Sequence, residues 1–177
     1  AAFSADQQTG CAPFTVQFTN ESNASATDFE WAFPGGNPAT STEANPSVVY
    51  ESGGSYPVSL TATNSVGSDV SEIEDFITVQ PLPSPDFSFE VDNETFTVIF
   101  NNTSNEANTY SWDFGDGNSS MDENPTHTFA IDGLYAVTLT ATNDCGSTTF
   151  VQNVEVGEAP TPLFTVNRTT GCAPLTV

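Results

Sequence analysis

The 177-residue chain carries a formal net charge of -22, because 23 acidic residues stand against a single basic residue, Arg168. Nucleic acids and anionic membrane surfaces require cationic side chains facing their phosphates, so this balance excludes both as partners. No apolar run approaches the ~18 residues of a membrane span, and direct membrane insertion is not expected. Only 14% of residues are charged, a composition that suits extracellular β-structure rich in hydroxyl groups.

The predicted elements are short β-strands. A first strand is predicted at Ala2 to Asp6, and the segment "FTVQFT" that begins at Phe14 alternates apolar and polar residues. This period of two is typical of a half-buried antiparallel strand. An aromatic strand around Trp31 follows, and a third alternating run, "SYPVSLTATN", ends at Asn64. Runs of this length separated by turn residues indicate a two-sheet sandwich.

The same pattern then repeats. "FTVIFNNTS" at 96–104 resembles "FTVQFTNES" at 14–22, and "LYAVTLTATN" ends at Asn143 as its counterpart ends at Asn64. A period of roughly eighty residues indicates whole modules rather than solenoid turns. "TGCAPFTV" at 9–16 returns as "TGCAPLTV" at 170–177, so the third module resembles the first and the repeating unit is a pair.

These repeats predict two domains and the start of a third. The predicted units are domain 1 at 1–80, a Pro-rich linker at 81–85, domain 2 at 86–157, a second Pro-rich linker at 158–162, and the first strands of a truncated third domain at 163–177. Pro-rich linkers favour extended, semi-rigid connections. The last fragment cannot bury an apolar face alone, so we expect the sequence to be a window on a longer array. Donor-strand exchange into a neighbouring subunit is the less favoured alternative.

The motifs "YSWDFGDG" (110–117), "NPTHTF" (124–129) and "GLYAVTLTATN" (133–143) resemble the PKD domain, the Ig-like module of polycystin and of many secreted bacterial proteins. Domain 1 carries a worn version, with Ala32 and Gly35 in place of Asp113 and Asp116. The resemblance implies an all-β fold of tandem Ig-like seven-stranded β-sandwiches arranged end to end. It also implies a spacer or binding role beside other domains.

Three cysteines in an acidic, Thr-rich chain suggest disulfides with one thiol left over. In the implied strand order, Cys11 precedes the second strand and Cys145 lies in the last hairpin. Stacking two modules head to tail brings these ends together and predicts an interdomain Cys11–Cys145 bond. Cys172 would then pair in the next module, beyond this sequence. A Cys145–Cys172 bond would have to span nearly two modules, far beyond the ~7 Å Cα limit, and free buried thiols are the other alternative.

Asp113 and Asp116 straddle a glycine turn, with Asp122 and Glu123 nearby. Their carboxylates could bind Ca²⁺, which takes roughly six to eight oxygen ligands, and some PKD modules bind calcium at such loops. The favoured interpretation is that the carboxylates accept backbone N–H bonds within the turn. No other cofactor is expected.

The single histidine, His127, has Val48 at the corresponding position of domain 1, which favours packing within a strand over proton transfer. No nucleophile-elbow motif accompanies it, and we predict that the chain is not an enzyme. Trp31 and Trp112 hold the central core position of an Ig-like sandwich, which is favoured over a sugar-stacking face.

The leading hypothesis is therefore structural. The domains are expected to form the stiff stalk or filament shaft of a secreted or cell-surface bacterial repeat protein. The alternatives are a glycan- or protein-binding adhesin module and an accessory region of a secreted hydrolase. The expected partners are further PKD modules of the same longer chain. Lateral self-association is left open, because such acidic rods repel each other unless divalent cations bridge them.

Overall fold

Two β-sandwiches follow one another along the chain in the computed structural model, which describes residues 1–157. Every named element in this part of the chain is a β-strand, so the fold is all-β. Within the same residues there is no helix long and apolar enough to cross a membrane. The predicted linker at 158–162, the third domain at 163–177 and Cys172 lie outside the described residues.

Domain 1 contains eight strands in two sheets. In chain order they are β1 (Phe3–Ala5), β2 (Thr9–Cys11), β3 (Phe14–Asn20), β4 (Asp28–Ala32), β5 (Thr40–Ser41), β6 (Ser47–Tyr50), β7 (Gly54–Thr63) and β8 (Ser68–Gln80). One sheet has the order β1-β3-β6 and the other has the order β2-β8-β7-β4-β5. All neighbouring strands are antiparallel except β2 and β8, which are parallel.

Domain 1 has one strand more than the predicted seven, because the chain changes sheet between β1 and β2. Asp6 is still bonded to β3, since its N–H donates to the Gln17 carbonyl at 3.0 Å. Two residues later the Gln8 carbonyl accepts the N–H of Thr78 on β8. The Asp6 carboxylate stabilises the crossing by accepting the N–H groups of Gln7 and Gln17 at 2.8 and 2.9 Å.

Domain 2 contains seven strands and no such crossing. They are β9 (Phe87–Asp92), β10 (Thr97–Asn102), β11 (Thr109–Asp113), β12 (Ser119–Ser120), β13 (Thr126–Thr128), β14 (Gly133–Asn143) and β15 (Gly146–Val156). The two sheets have the orders β13-β10-β9 and β12-β11-β14-β15, and all neighbours are antiparallel.

Each sandwich encloses its own apolar core around a buried tryptophan. Trp31 is 2% exposed and Trp112 is 0% exposed. Their indole N–H groups donate to the carbonyl oxygens of Glu43 at 2.9 Å and Asp122 at 3.0 Å. A buried indole donor needs such a partner, so the same backbone acceptor recurs in both domains.

A tyrosine also anchors the same loop in each domain. Tyr56 Oη donates to the Ser52 carbonyl at 2.8 Å, and Tyr135 Oη donates to the Ile131 carbonyl at 2.9 Å. This bond to a carbonyl four residues upstream is the tyrosine corner of Ig-like sandwiches. It fixes the loop before the long strands β7 and β14.

Candidate functional site: the joint between the two domains

The joint is formed by the end of domain 1 at which its last strand β8 finishes and by the end of domain 2 that carries the hairpin between β14 and β15. We call base of domain 1 the turn at 12–13, the loop at 51–53 and the end of β8. We call crown of domain 2 the loop at 103–108 and the hairpin at 143–146. The linker at 81–85 connects the two.

Strand β2 places Cys11 at the base of domain 1. Cys11 pairs with Gln80, the last residue of β8, and the next N–H, that of Ala12, donates to the Gln80 carbonyl at 2.9 Å. The parallel pairing of β2 with β8 therefore holds the cysteine beside the point where the chain leaves domain 1.

An Asx turn places Cys145 at the tip of the crown hairpin. Asn143 Oδ1 accepts the N–H of Cys145 at 2.8 Å, and Asn143 pairs with Gly146 across the hairpin. Side chains of asparagine commonly fix turns in this way. The Asx turn thus fixes the backbone of this half-buried cysteine.

Cys11 and Cys145 form a disulfide bond across the joint, as the sequence predicts. Their Cα atoms are 5.4 Å apart, within the usual range for a disulfide, although the residues are separated by 134 positions in sequence. The Cys145 sulfur also lies 3.7 Å from the Gln80 carbonyl oxygen. Because this sulfur is bonded to Cys11 and carries no hydrogen, the approach is a packing contact.

The amide of Asn143 ties the linker to the crown. Its Nδ2 group donates to the Pro81 carbonyl at 2.9 Å and to the Glu106 carbonyl at 2.7 Å. Asn143 is 7% exposed, and it is the one polar or charged residue that is buried among residues 1–157. Its three side-chain hydrogen bonds therefore join the linker, the loop at 103–108 and the Cys145 hairpin.

The linker itself is bonded to domain 2. Ser84 and Asn105 exchange two backbone hydrogen bonds of 3.0 Å each, and Thr148 Oγ1 donates to the Pro83 carbonyl. Pro83 is buried. The linker is therefore an ordered part of the domain 2 surface rather than a free tether.

Two glycines let the linker pack closely on both domains. A Cβ atom added at Gly53 would lie 2.5 Å from Pro81 Cδ, and one added at Gly146 would lie 3.2 Å from Leu82 Cδ2. A larger residue at Gly53 would force the ring of Pro81 away. The first linker residue thus packs on domain 1 and the second packs on domain 2.

These contacts connect the two domains in several places. The joint combines one covalent bond, several hydrogen bonds to linker carbonyls and two close packing contacts. An interdomain contact held only by a few polar groups would allow relative motion of the domains. The Cys11–Cys145 disulfide gives the two domains a second covalent connection beside the linker.

The sequence candidates Asp113 and Asp116 lie in the turn after β11, at the end of this strand that is away from the crown of domain 2. Asp113 Oδ1 accepts the N–H of Gly115 at 2.9 Å, and Asp116 Oδ1 accepts the N–H of Asn118 at 3.0 Å. Both carboxylates therefore have partners within the turn. Among residues 1–157 no group of three or more His, Cys, Asp or Glu side chains is arranged to hold a metal ion. A calcium site at these two residues stays a prediction.

His127 packs against this turn, a contact that the sequence did not suggest. Its ring stacks on Phe114 with 4.1 Å between centroids, and its Nε2 is 2.8 Å from Asp116 Oδ2. The two side chains are 13% and 14% exposed. Burial raises the pKa of Asp116, but hydrogen bonds from Asn118 and His127 outweigh it, so the net pKa lies below the usual value for aspartate.

Sequence reasoning identified the two cysteines but missed Asn143 and Thr148. Asn143 was hidden because the motif "TATN" is identical in both domains, although within residues 1–157 only this copy contacts the linker. Thr148 stands where domain 1 has Asp69, and that difference between the repeats was the available signal.

Comparison with known proteins identifies the module. The family model described as the PKD domain matches residues 1–79 and 83–157. The pre-pro-metalloprotease PrtV of two Vibrio cholerae serotype O1 strains, M66-2 and El Tor Inaba N16961, is 38% identical to the chain over 78 residues. That match covers 41% of this chain and 8% of the relative, so the chain spans less than a tenth of the length of these curated relatives.

Solved structures of two single PKD modules and of one three-domain Ig ectodomain are also similar. The PKD1 domain of Vibrio anguillarum Epp is 31% identical, with a TM-score of 0.40, and the match covers 42% of this chain and 93% of that one. The PKD1 domain from Vibrio cholerae metalloprotease PrtV is 37% identical, with a TM-score of 0.39, and the match covers 43% of this chain and 98% of that one. The ectodomain of mouse nectin-like molecule 4 is 18% identical, with a TM-score of 0.49. The match covers 92% of this chain and 66% of the ectodomain chain.

Proposed function

The chain belongs to the PKD domain family, and from this premise we propose that residues 1–157 form a stiff two-domain segment of the stalk or shaft of a bacterial extracellular protein. The observation that supports this most is the double connection between the domains, a linker and the Cys11–Cys145 bond. A spacer that must hold its ends apart gains from a joint that resists bending, whereas a flexible tether would not need the second connection.

The disulfide also supports an extracellular location. Such bonds persist in oxidising compartments and are rare in the bacterial cytoplasm. Cys11 is exposed and Cys145 is half-buried, so a reducing environment would have access to the bond. The excess of acidic residues keeps such shafts soluble and mutually repelling. The proposed partners are further modules of the same kind, and divalent cations are the proposed bridge where shafts associate laterally.

Small-angle X-ray scattering of the oxidised chain, compared with the Cys11→Ser/Cys145→Ser double variant, tests the proposal. We expect the oxidised chain to fit one elongated rigid shape, and the double variant to require an ensemble of bent shapes. Cys172→Ser is the matched control, because it removes a thiol that takes no part in this bond. Equal scattering from all three proteins would contradict a stiffening role.

A second candidate is an accessory region of a secreted hydrolase. The observation that favours it is the 38% identity with a relative that is named a pre-pro-metalloprotease. The two functions differ in what the rest of the polypeptide contains. A catalytic domain in the full-length protein, with proteolytic activity that persists when residues 1–157 are deleted, is expected under this candidate alone.

The adhesin alternative receives less support from the surface. The Phe, Tyr and Trp residues within 1–157 are all buried or half-buried, which leaves little aromatic surface there for sugar stacking. We expect the purified chain to pass through polysaccharide columns without retention.

A further inference from the structure

The crown of domain 1 is built like the crown of domain 2, although no second domain lies against it among residues 1–157. We call crown of domain 1 the loop at 21–27 and the hairpin at 64–67. Asn64 Oδ1 accepts the N–H of Val66 at 2.8 Å, as Asn143 Oδ1 accepts the N–H of Cys145 at 2.8 Å. The two hairpins therefore present the same Asx turn.

The strand entry is the same in both crowns. Ser22 Oγ accepts the N–H of Ala2 at 3.2 Å, and Ser104 Oγ accepts the N–H of Asp86 at 3.2 Å. A chain segment that leads into β1 would consequently cross the crown of domain 1 as the linker at 81–85 crosses the crown of domain 2.

The crown of domain 1 has capacity for such a segment. Within residues 1–157 the Asn64 amide donates to one acceptor, Ser25 Oγ at 3.2 Å, whereas the Asn143 amide donates to a carbonyl of its own domain and to the Pro81 carbonyl of the linker. Val66 lies at the tip of the domain 1 hairpin, in the position that Cys145 has in domain 2, and it is 93% exposed. A shallow recess beside Val66 is lined by Asn23 and Asn64, and by Ala1, whose amino group pairs with Asp69 and marks where an entering segment would join domain 1.

The base of domain 2 corresponds to the base of domain 1. Asn93 stands where domain 1 has Cys11, and Asn93 Oδ1 accepts the N–H of Gly157 at 3.0 Å, beside the end of the last strand as Cys11 is. The sequence then continues as "EAPTP" at 158–162, which matches the end of "PLPSP" at 81–85, and residues 162–177 repeat residues 1–16.

We propose that the crown of domain 1 is the docking surface for the base of a module built like domain 2, and that this joint has no disulfide. The inference rests on the proposed function as an extended shaft. Asn93 and Val66 occupy the two cysteine positions, so no covalent bond can form between them. Domain 1 has Asp69 at the position of Thr148 in domain 2. An ionised carboxylate has no hydrogen to donate to a linker carbonyl.

The consequence is an alternating shaft. Joints within a pair of domains are locked by a disulfide, and joints between pairs are open and bend more freely. The rigid unit is thus the pair, which agrees with the sequence repeat, since the third module returns to the pattern of the first.

A fusion of two copies at the natural register tests this inference. Residues 1–161 of the first copy are followed by residues 1–177 of the second, in which Cys172 is changed to Ser. Asn93→Cys in the first copy and Val66→Cys in the second place thiols at the proposed joint. We expect these two thiols to pair under oxidation, with complete loss of alkylation at both. Glu-C digestion is used for the mapping, because the natural chain offers trypsin a single site.

Two matched variants accompany the fusion. Val70→Cys in place of Val66→Cys moves the thiol along the same hairpin to a residue that is 58% exposed, and we expect it to remain alkylated. Asn93→Ser with Val66→Ser carries no thiol and checks, by circular dichroism, that substitution at both turns preserves the fold.

Scattering of the parent fusion completes the test. We expect the parent to bend at the middle joint and the engineered disulfide to remove that bending. Engineered thiols that stay alkylated, while Cys11–Cys145 forms in both copies, would overturn the docking surface and leave the proposed function intact. A parent fusion as straight as the engineered one would overturn the open joint. Bending within each pair despite its disulfide would instead contradict the proposed function.

Discussion

Tyr50 of domain 1 and Phe129 of domain 2 occupy the same core position and stack on the equivalent tyrosines of their domains. Tyr50 is 4.7 Å from Tyr56 and Phe129 is 4.1 Å from Tyr135, measured between ring centroids. Only Tyr50 has a hydroxyl, and this buried oxygen has no hydrogen-bond partner within the described residues. Burial, followed by repulsion from Tyr56, raises the pKa of Tyr50 to about 12.

We expect Tyr50→Phe to raise the free energy of unfolding of domain 1 by about 1 kcal/mol, because a buried hydroxyl without a partner costs free energy that phenylalanine avoids. Urea denaturation measures the change. Tyr56→Phe is the matched control and should lower stability by about 1 kcal/mol, since its hydroxyl donates to the Ser52 carbonyl. Destabilisation by Tyr50→Phe would show that the hydroxyl has a partner after all.

Asn143→Ala should destabilise the joint more than Asn64→Ala destabilises the free crown. Both changes remove an Asx turn, but only the first leaves the carbonyls of Pro81 and Glu106 without their donor. Each of these partly buried hydrogen bonds contributes about 0.5–1.5 kcal/mol. Urea denaturation of the two variants gives the difference directly, and equal losses would mean that the linker bonds contribute nothing.

Reduction of the Cys11–Cys145 bond should lower the midpoint of thermal unfolding without abolishing folding. Natural disulfides contribute typically 2–4 kcal/mol, and that range is an upper guide here because each domain has its own core. Calorimetry with and without dithiothreitol measures the shift. Cys172→Ser should respond to the reductant as the natural chain does, whereas Cys11→Ser/Cys145→Ser should not respond. A shift that persists in the double variant would have another origin.

The stability of domain 2 should decrease at acid pH through Asp116. Its pKa is lower in the folded state than in the unfolded chain, so the unfolded chain binds more protons between the two values. The contribution is therefore complete above the ordinary aspartate pKa of about 4 and is lost as the pH falls through the lowered folded value.

The variant Asp116→Asn should lose this part of the decrease in stability at acid pH. Urea denaturation at a series of pH values measures the free energy of unfolding of both proteins. Asp113→Asn is the control, since it removes a carboxylate of the same turn that does not contact His127. An identical decrease in stability at acid pH in Asp116→Asn and in the natural chain would contradict the role of this carboxylate.

The periodic strands and the position of the disulfide could be predicted because both follow from patterns in one chain. Alternation places Phe14, Val16 and Phe18 inside without knowledge of any neighbour, and all three are buried. The cysteine pairing followed from which ends of the strands meet when two sandwiches are stacked.

The contacts that complete the joint could not be predicted in the same way. Asn64 and Asn143 lie in identical motifs, and their different burial depends on whether another domain lies above them. The change of sheet after Asp6 was missed for a similar reason, because a single carboxylate stabilises it and no periodicity marks it.

The position of the disulfide also determines how the pair would respond to tension. A pull on both ends enters through residues 1–10, crosses from Cys11 to Cys145, and leaves through residues 146–157. Everything between the two cysteines lies in a closed covalent loop and carries no load once the outer strands are drawn taut. Strands β3 to β14 therefore cannot be unravelled into extra length while the bond is intact. Only the segments 1–10 and 146–157 can be extended, so the bond limits how far the oxidised pair can lengthen under tension.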